Sequence, residues 1–393
     1  MNCVLPFDMM ELKCLEFFSG IGGMHYALQK SNLIGKVLES FDINPTANLT
    51  YEYNFNVKPN QISIEMLKVD YIEKLSANTW LLSPPCQPFT QGGLRKDSKD
   101  IRCTALFHLF EKLLPNLNNK PEYIFIENVA NFAHSDAKSR ILKVLRKNYQ
   151  FFEFILSPLQ FNIPNDRNRY YLLARKNSIS VSQLQYKDSD IILDWHLKKN
   201  ENDINTLSNY QLEENLDEFL VPSKMFKNRK TFSVGVIVKP SDTYSFCFTK
   251  AYGRHGVGSG SYLQTLNLNL DPIAYYKEFV YKEDETILLE NNMLNQFNKK
   301  SSKKETDTEK LENFIKMFGI RYFSPLEVCY LNGFPIKSES FFQEKTLFKF
   351  NTSKTNKNQN WRMIGNSLNV TVVSELLKVL VVDDMFWERN KIS

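Results

Sequence analysis

The chain has 393 residues, 42% apolar and 24% charged, with a formal net charge of +5. These are the proportions of a globular protein, and at about 150 residues per domain the length suggests two to three units. No run of about 18 apolar residues offers a membrane span, and the start MNCVLPFDMMELK lacks the basic lead and apolar core of a secretory signal.

The first 175 residues alternate short apolar strands with helical patterns, which predicts an α/β sheet. CLEFFSG, from Cys14, reads as a strand. GGMHYALQK puts Met24, Ala27 and Leu28 on one helical face. KVLESFDIN is a second strand ending at Asp42, TWLLS a third and EYIFIEN a fourth ending at Glu127. DAKSRILKVLRK is a helix with Ile141, Leu142 and Leu145 inward, and FFEFILS with RYYLLARK a closing strand pair. Residues 177–218 turn polar. Val221 to Thr265 is strand-like again, and Asn295 to Lys310 reads as a solvated linker. In NSLNVTVVSELLKVL, Asn366 or Ser367 is positioned to start a last helix.

Four features carry chemistry. FFSGIGG lies between a strand and a helix. Gly20, Gly22 and Gly23 permit a sharp turn and close approach to a ligand, with Asp42 about 20 residues on, placed to accept ribose hydroxyls. A tight turn without a ligand explains the glycines equally well. Cys86 follows the third strand inside SPPCQPFTQGG, where Pro84 and Pro85 stiffen the backbone. An unperturbed thiol is only about 3% thiolate at pH 7, and a buried inert cysteine is the alternative. Glu127 ends an apolar strand, where a carboxyl needs a partner or a task. Arg167 and Arg169 alternate in NDRNRYY and face one side of a strand. The six cysteines (Cys3, Cys14, Cys86, Cys103, Cys247, Cys329) form no C-x-x-C pair, and the five histidines no H-x-x-x-H spacing. Reduced thiols in the cytoplasm or nucleus and no metal site are expected.

In this order the motifs resemble those of the cytosine carbon-5 methyltransferases: F-x-G-x-G-G at Phe18 to Gly23, P-P-C-Q at Pro84 to Gln87, E-N-V at Glu127 to Val129, R-x-R at Arg167 to Arg169 and G-N-S at Gly365 to Ser367. The resemblance implies a Rossmann-like methyltransferase fold dependent on S-adenosylmethionine (product S-adenosylhomocysteine). It implies a catalytic domain over 1–185, a smaller inserted target-recognition domain over 186–350, and a C-terminal segment, 351–393, returning to the first. It makes Cys86 the nucleophile at cytosine carbon 6, Glu127 the proton donor at ring nitrogen 3, and Arg169 or Arg167 the donor to the ring carbonyl. The methyl donor would lie on Phe18, Ser19, Gly20, Ile21, Gly22 and Gly23, with Asp42 on its ribose. Ile43, Ile64 and Glu65 (in the S-I-E segment) would lie near its adenine, and Pro85, Asn366 and Ser367 would close the pocket.

CFTKAYG, GSGSYLQT, RYFSPLEVCYLNGFP and RMIGNSLNV resemble in addition the eukaryotic tRNA-aspartate methyltransferase subfamily, whose hallmark Cys-Phe-Thr is here Cys247 to Thr249. The implied substrate is a cytosine in the anticodon loop of tRNA-Asp, position 38, already partly unstacked. The expected partner is tRNA, with weak DNA binding at most, no membrane, and a monomeric enzyme. A DNA cytosine methyltransferase using the same site is the alternative, and a catalytically silent nucleic-acid-binding protein a third. The chain departs from the family where Asn131, Phe132 and Ala133 follow the E-N-V motif, at Asn165, and where His255 replaces a second tyrosine. Basic clusters (Lys224, Lys227, Arg229, Lys230; Arg95, Lys96, Lys99; Lys299, Lys300, Lys303, Lys304) are candidate phosphate contacts, and 91–102 is expected to form a mobile lid.

Overall fold

The computed structural model describes residues 11–86, 89, 100–177, 191–195, 205–212, 216–226, 236–255, 258–280, 306–338, 347–384 and 387. The amino-terminal part alternates as predicted. β1 (Leu12–Phe17) leads through a glycine turn to α1 (Gly23–Lys30), then β2 (Gly35–Phe41), α2 (Pro45–Phe55), α3 (Val69–Leu75) and β3 (Thr79–Leu82). A helical run follows: α4 (Thr104–Phe107), a π-turn over His108–Leu113, and α5 (Leu114–Asn116). Then come β4 (Tyr123–Val129), α6 (Asp136–Leu145), β5 (Tyr149–Leu156) and β6 (Arg169–Lys176). The six strands lie in the order β2-β1-β3-β4-β6-β5. The first four run parallel, and β6 runs antiparallel to both β4 and β5.

This order puts a topological switch at β1. The chain goes to β2 on one side and returns to β3 on the other, opening a crevice beyond the carboxyl ends of β1 and β3. Phe18 to Gly23 and Pro84 to Cys86 leave the sheet at those two ends.

Alternating side chains along each strand feed two apolar clusters, one per face. Leu15, Phe17, Trp80, Leu82, Ile124 and Ile126 join α6 and the 104–116 run. Leu12, Cys14, Leu81, Phe125 and Tyr171 face α1 and the last helix. Ile141, Leu142 and Leu145 of α6 are buried as expected, and Ser135 caps that helix by accepting from Lys138 N.

The remainder holds α7 (Pro272–Tyr275), α8 (Asp307–Phe318), α9 (Pro325–Leu331), α10 (Lys357–Asn366) and α11 (Val370–Val381). A small sheet pairs β7 (Ile237–Val238), β8 (Tyr262–Leu263) and β9 (Arg321–Tyr322). Its apolar residues share the cluster that holds α1 and α11.

Three expectations change. Among its described residues, Val221 to Thr265 contains only the two-residue strands β7 and β8 and a 3₁₀ turn, Ser223–Phe226. Between the strands its backbone bonds both through turns and to distant loops, as from Asp166 N to Ser245 O, and glycines 258 and 260 have positive φ. The charged segment Asn295 to Lys310 reaches the described residues only at Thr306, where it becomes the start of α8. Thr306 and Glu309 form a capping box, so the polar residues from Thr306 on begin a helix rather than extend a linker. The last helix begins after Asn369, which caps it by accepting from Val372 N; Asn366 instead ends α10. Lys357–Val381 is long and apolar enough by composition to cross a membrane, but it breaks at 367–369, and α11 buries Leu376, Leu377 and Leu380 against α1, β4 and β6.

Candidate active site

The crevice contains a cavity of about 440 Å³. At one end is the glycine turn. Phe18 (φ 58) and Gly20 (φ 54) take left-handed backbone, which costs a non-glycine residue about 1 kcal/mol. Gly22 (φ 87) precedes the first residue of α1. Its missing side chain makes room for Phe55, since a Cβ there would lie 2.3 Å from that ring. A Cβ on Gly20 would meet nothing within 4 Å, so this residue opens onto the cavity. Asp42 staples the turn: its Oδ2 accepts from Gly20 N at 2.8 Å and its Oδ1 from Asn44 N at 2.8 Å. Burial raises its carboxyl above the ordinary range, against those two amides. Ser83 Oγ donates to Phe18 O at 2.9 Å, tying the two loops together.

At the other end stands Cys86. Asn128 on β4 holds its mount by donating to Pro84 O at 3.2 Å. Burial raises the Cys86 thiol, the guanidinium of Arg169 opposes this, and Glu127 adds to it. Glu127 is buried, and burial raises its carboxyl against the pull of Arg169 and Arg167. Arg169 Nε lies 3.5 Å from Glu127 Oε1. Thiol, carboxyl and guanidinium therefore share one water-poor corner, where a polar ring can be gripped by a carboxyl and a cation beside a sulfur nucleophile.

Of the predicted site residues, Phe18, Ser19, Gly20, Ile21, Gly23, Asp42, Ile43, Ile64, Glu65, Pro85, Cys86, Glu127, Arg167, Arg169, Asn366 and Ser367 all line this cavity. Gly22 does not; it shapes the turn from behind. The two arginines differ. Arg167 is fully buried and spends its guanidinium on the backbone, donating to Phe248 O at 3.2 Å, Gly365 O at 3.4 Å and Ser367 O. Its role is to hold three segments together, which leaves Arg169 as the one placed to reach a ligand. Cys247 joins them: its sulfur accepts from Arg167 Nη1 at 3.3 Å and Arg169 Nη2 at 3.7 Å. Burial raises that thiol, but the two guanidiniums outweigh burial and lower it. The Cys-Phe-Thr motif was its only sequence signal.

Arg102 and Met363 also line the cavity without having been singled out. Arg102 is braced by Asp100 through Nε at 2.8 Å and Nη2 at 2.6 Å. The lid expected over 91–102 lies outside the described residues except for Asp100 to Arg102. The departures at Asn131 to Ala133 turn inward. Asn131 donates to Phe89 O at 3.3 Å, Phe132 packs edge-on against Phe89, and Ala133 is buried. They brace Phe89, three residues past Cys86, and Asn165 donates to Ser245 Oγ and Phe246 O.

The model of the C-5 cytosine-specific DNA methylases matches residues 12–381. The chain belongs to that family. It is 36% identical to a DNA (cytosine-5)-methyltransferase of Dictyostelium discoideum, over 95% of either chain. It is 33% identical to a tRNA (cytosine(38)-C(5))-methyltransferase of Schizosaccharomyces pombe, covering 94% of this chain and 97% of the other. The crystal structure of a Spodoptera frugiperda DNMT2 triple mutant aligns over 94% of this chain and 99% of its own with a TM-score of 0.72 and 32% identity. The fold is therefore the Rossmann-like one of the S-adenosylmethionine-dependent methyltransferases, and the chain is an enzyme of cytosine carbon-5 methylation.

The cavity fits that donor. Among the described residues, Ser19 Oγ is buried without a hydrogen-bond partner, Gly20 leaves space for a close approach, and the exposed Ile43 and buried Ile64 line the cavity beyond Asp42.

Proposed function

We propose that the protein methylates carbon 5 of a cytosine in tRNA, cytosine 38 of the tRNA-Asp anticodon loop, using S-adenosylmethionine and a covalent bond to Cys86. The observation that carries the reading is the meeting of Cys86, Glu127 and Arg169 at one end of a cavity whose other end is the glycine turn. Phe18 to Gly23 would hold the donor's amino-acid portion, Asp42 its ribose, and Ile43, Ile64 and Glu65 the adenine side. Bound there, S-adenosylmethionine would supply an electrophilic methyl group.

Carbon 5 of cytosine is a weak nucleophile. The Cys86 thiolate adds to carbon 6 while Glu127 gives a proton to nitrogen 3 and Arg169 donates to the ring carbonyl, which makes carbon 5 enamine-like. After methylation, a base from solvent takes the carbon-5 proton, the electron pair of that bond restores the 5,6 double bond and expels the Cys86 thiolate, and the nitrogen-3 proton returns to Glu127. Arg169 lowers the thiol and would help it ionise. Residues 186–350 would recognise the target strand.

The choice of tRNA rests on the likeness to proteins named tRNA (cytosine(38)-C(5))-methyltransferases and on Cys247 to Thr249. An anticodon-loop base avoids most of the cost of a few kcal/mol for flipping a base from a duplex. The name of the Dictyostelium relative favours DNA as the second reading. Labelled-methyl transfer to purified tRNA and to duplex DNA, side by side, tests the choice. Faster transfer to tRNA, with bisulfite sequencing placing the mark at position 38, is expected; faster transfer to DNA would reverse it.

A further inference from the structure

Directly beneath the glycine turn, β1 carries a carboxyl that the mechanism does not use. Glu16 is fully buried on the strand face covered by α1 and α2. Its Oε2 accepts from Tyr51 Oη of α2 at 2.9 Å, and its Oε1 from the backbone N–H of His25 in the first turn of α1 at 3.2 Å. His25 Nδ1 lies 2.9 Å from the same Tyr51 hydroxyl, and its ring stacks on Phe55 at 3.9 Å. Where Glu16 is ionised, the tyrosine gives it its one proton, and His25 Nδ1 then donates to the tyrosine oxygen. This wire spans the segments on either side of Gly20 to Gly23, and Phe55 occupies the space that Gly22 leaves free.

We infer that Glu16 is a positioning and charge-sensing residue of the donor site, whose ionised form favours a cationic sulfonium ligand over the neutral thioether product. The inference rests on the proposed donor chemistry, in which the ligand loses one positive charge at each turnover. A carboxylate beneath the turn, buried from solvent, acts on that charge through low-dielectric protein. The effect is reciprocal: a sulfonium in the cavity draws the proton off Glu16, and the product lets it return. The groups facing Glu16 are Cys14 on β1, His25 on α1, Asp42 after β2 and Tyr51 on α2, with Tyr26 beyond Tyr51. Burial pushes Glu16 up to about 8 and His25 down to about 4. Burial also raises Cys14, Tyr26 and Tyr51. Asp42, also raised by burial, is the other carboxyl of this group; Glu16 is the one whose value lies in the neutral-to-alkaline range.

The test is calorimetric binding of S-adenosylmethionine and S-adenosylhomocysteine to the wild-type protein, Glu16→Gln and Tyr51→Phe between pH 6.5 and 9.5. The quantity read is the donor-over-product preference of wild type divided by that of Glu16→Gln, which cancels titration of the ligands' own amino groups and of Asp42. It is expected to grow about tenfold across the range, the worth of one charge at roughly 10 Å and an effective dielectric constant of roughly 20. Tyr51→Phe removes a donor to the carboxylate, so its rise should come at higher pH, and this comparison stands even where Glu16→Gln does not fold. A constant quotient, or a Tyr51→Phe curve superimposed on wild type, overturns the inference while leaving the methyltransferase reading intact. Failure of the wild-type protein to bind either ligand overturns both.

Discussion

Cys86, Glu127 and Glu16 are three titratable groups whose burial sets when each can act. The Cys86 thiol lies above its ordinary value because burial outweighs Arg169. Its thiolate share therefore grows about tenfold per pH unit through the neutral range, and single-turnover methylation is expected to accelerate from pH 7 to 9; a flat profile would show that ionisation does not limit the step. Glu127→Gln keeps the shape but loses the transferable proton, so turnover should fall about 10²–10⁴-fold with donor affinity nearly unchanged by calorimetry. An equal loss in donor affinity would make Glu127 a pocket support instead. Glu16 links stability to pH. Its folded value near 8 exceeds the ordinary 4.5, because burial penalises the charged form. The folded protein holds the extra proton between these values, so the contribution is full below about 4.5 and is lost as pH rises through about 8. Glu16→Gln should flatten the decline of Tm between pH 5 and 9. His25 has the opposite sign: burial depresses it from 6.5 to about 4, and its contribution disappears as pH falls through that window. Cys86 and Glu127 were legible through five motifs in order, since each motif alone left a bland alternative open. Glu16 was not legible, because its meaning depends on Tyr51, 35 positions away.

At the scale of elements, the glycine turn separates two functions that sequence treats alike. Gly22→Ala places a Cβ at positive φ against the Phe55 ring and should cost about 2–4 kcal/mol by denaturant unfolding. Gly20→Ala strains the backbone by about 1 kcal/mol but projects into open cavity, so donor affinity should fall while the fold persists. Equal effects of the two substitutions on unfolding would refute this division. β1, β2, β3, β4, α1 and α6 were legible because their apolar residues keep the period of their element. α2 was missed because its buried residues include Asn48, Thr50 and Asn54 and its apolar ones do not gather on one face. Its start is set by Asn44, which accepts from Thr46 N and Ala47 N, with proline in the first turn. The start of α11 was misplaced because three closely spaced polar residues, Asn366, Ser367 and Asn369, include both a helix end and a helix cap. Its true cap, Asn369, lies two residues past the family motif.

Across the whole molecule, Arg167 is the tie between parts that are distant in sequence. Its guanidinium joins the loop before β6 to Phe248 and to the turn between α10 and α11. Gly365 fits there because a Cβ would come within 2.3 Å of the Thr249 backbone. Arg167→Ala leaves buried carbonyls unpaired and should lower stability by about 1–3 kcal/mol, with activity falling because Arg169 and Cys247 lose their brace. Sequence order alone could not reveal this, since R-x-R, C-F-T and G-N-S meet only in the fold. The proposed function turns on the covalent use of Cys86. The most direct test is to present tRNA bearing 5-fluorocytosine at position 38, from which no carbon-5 proton can be removed after methylation, and to look for trapped enzyme by mass spectrometry. A stable protein–RNA adduct mapping to Cys86, dependent on S-adenosylmethionine and absent from Cys86→Ala, is the predicted result; an adduct on another residue, or undiminished methylation of ordinary tRNA by Cys86→Ala, would contradict it.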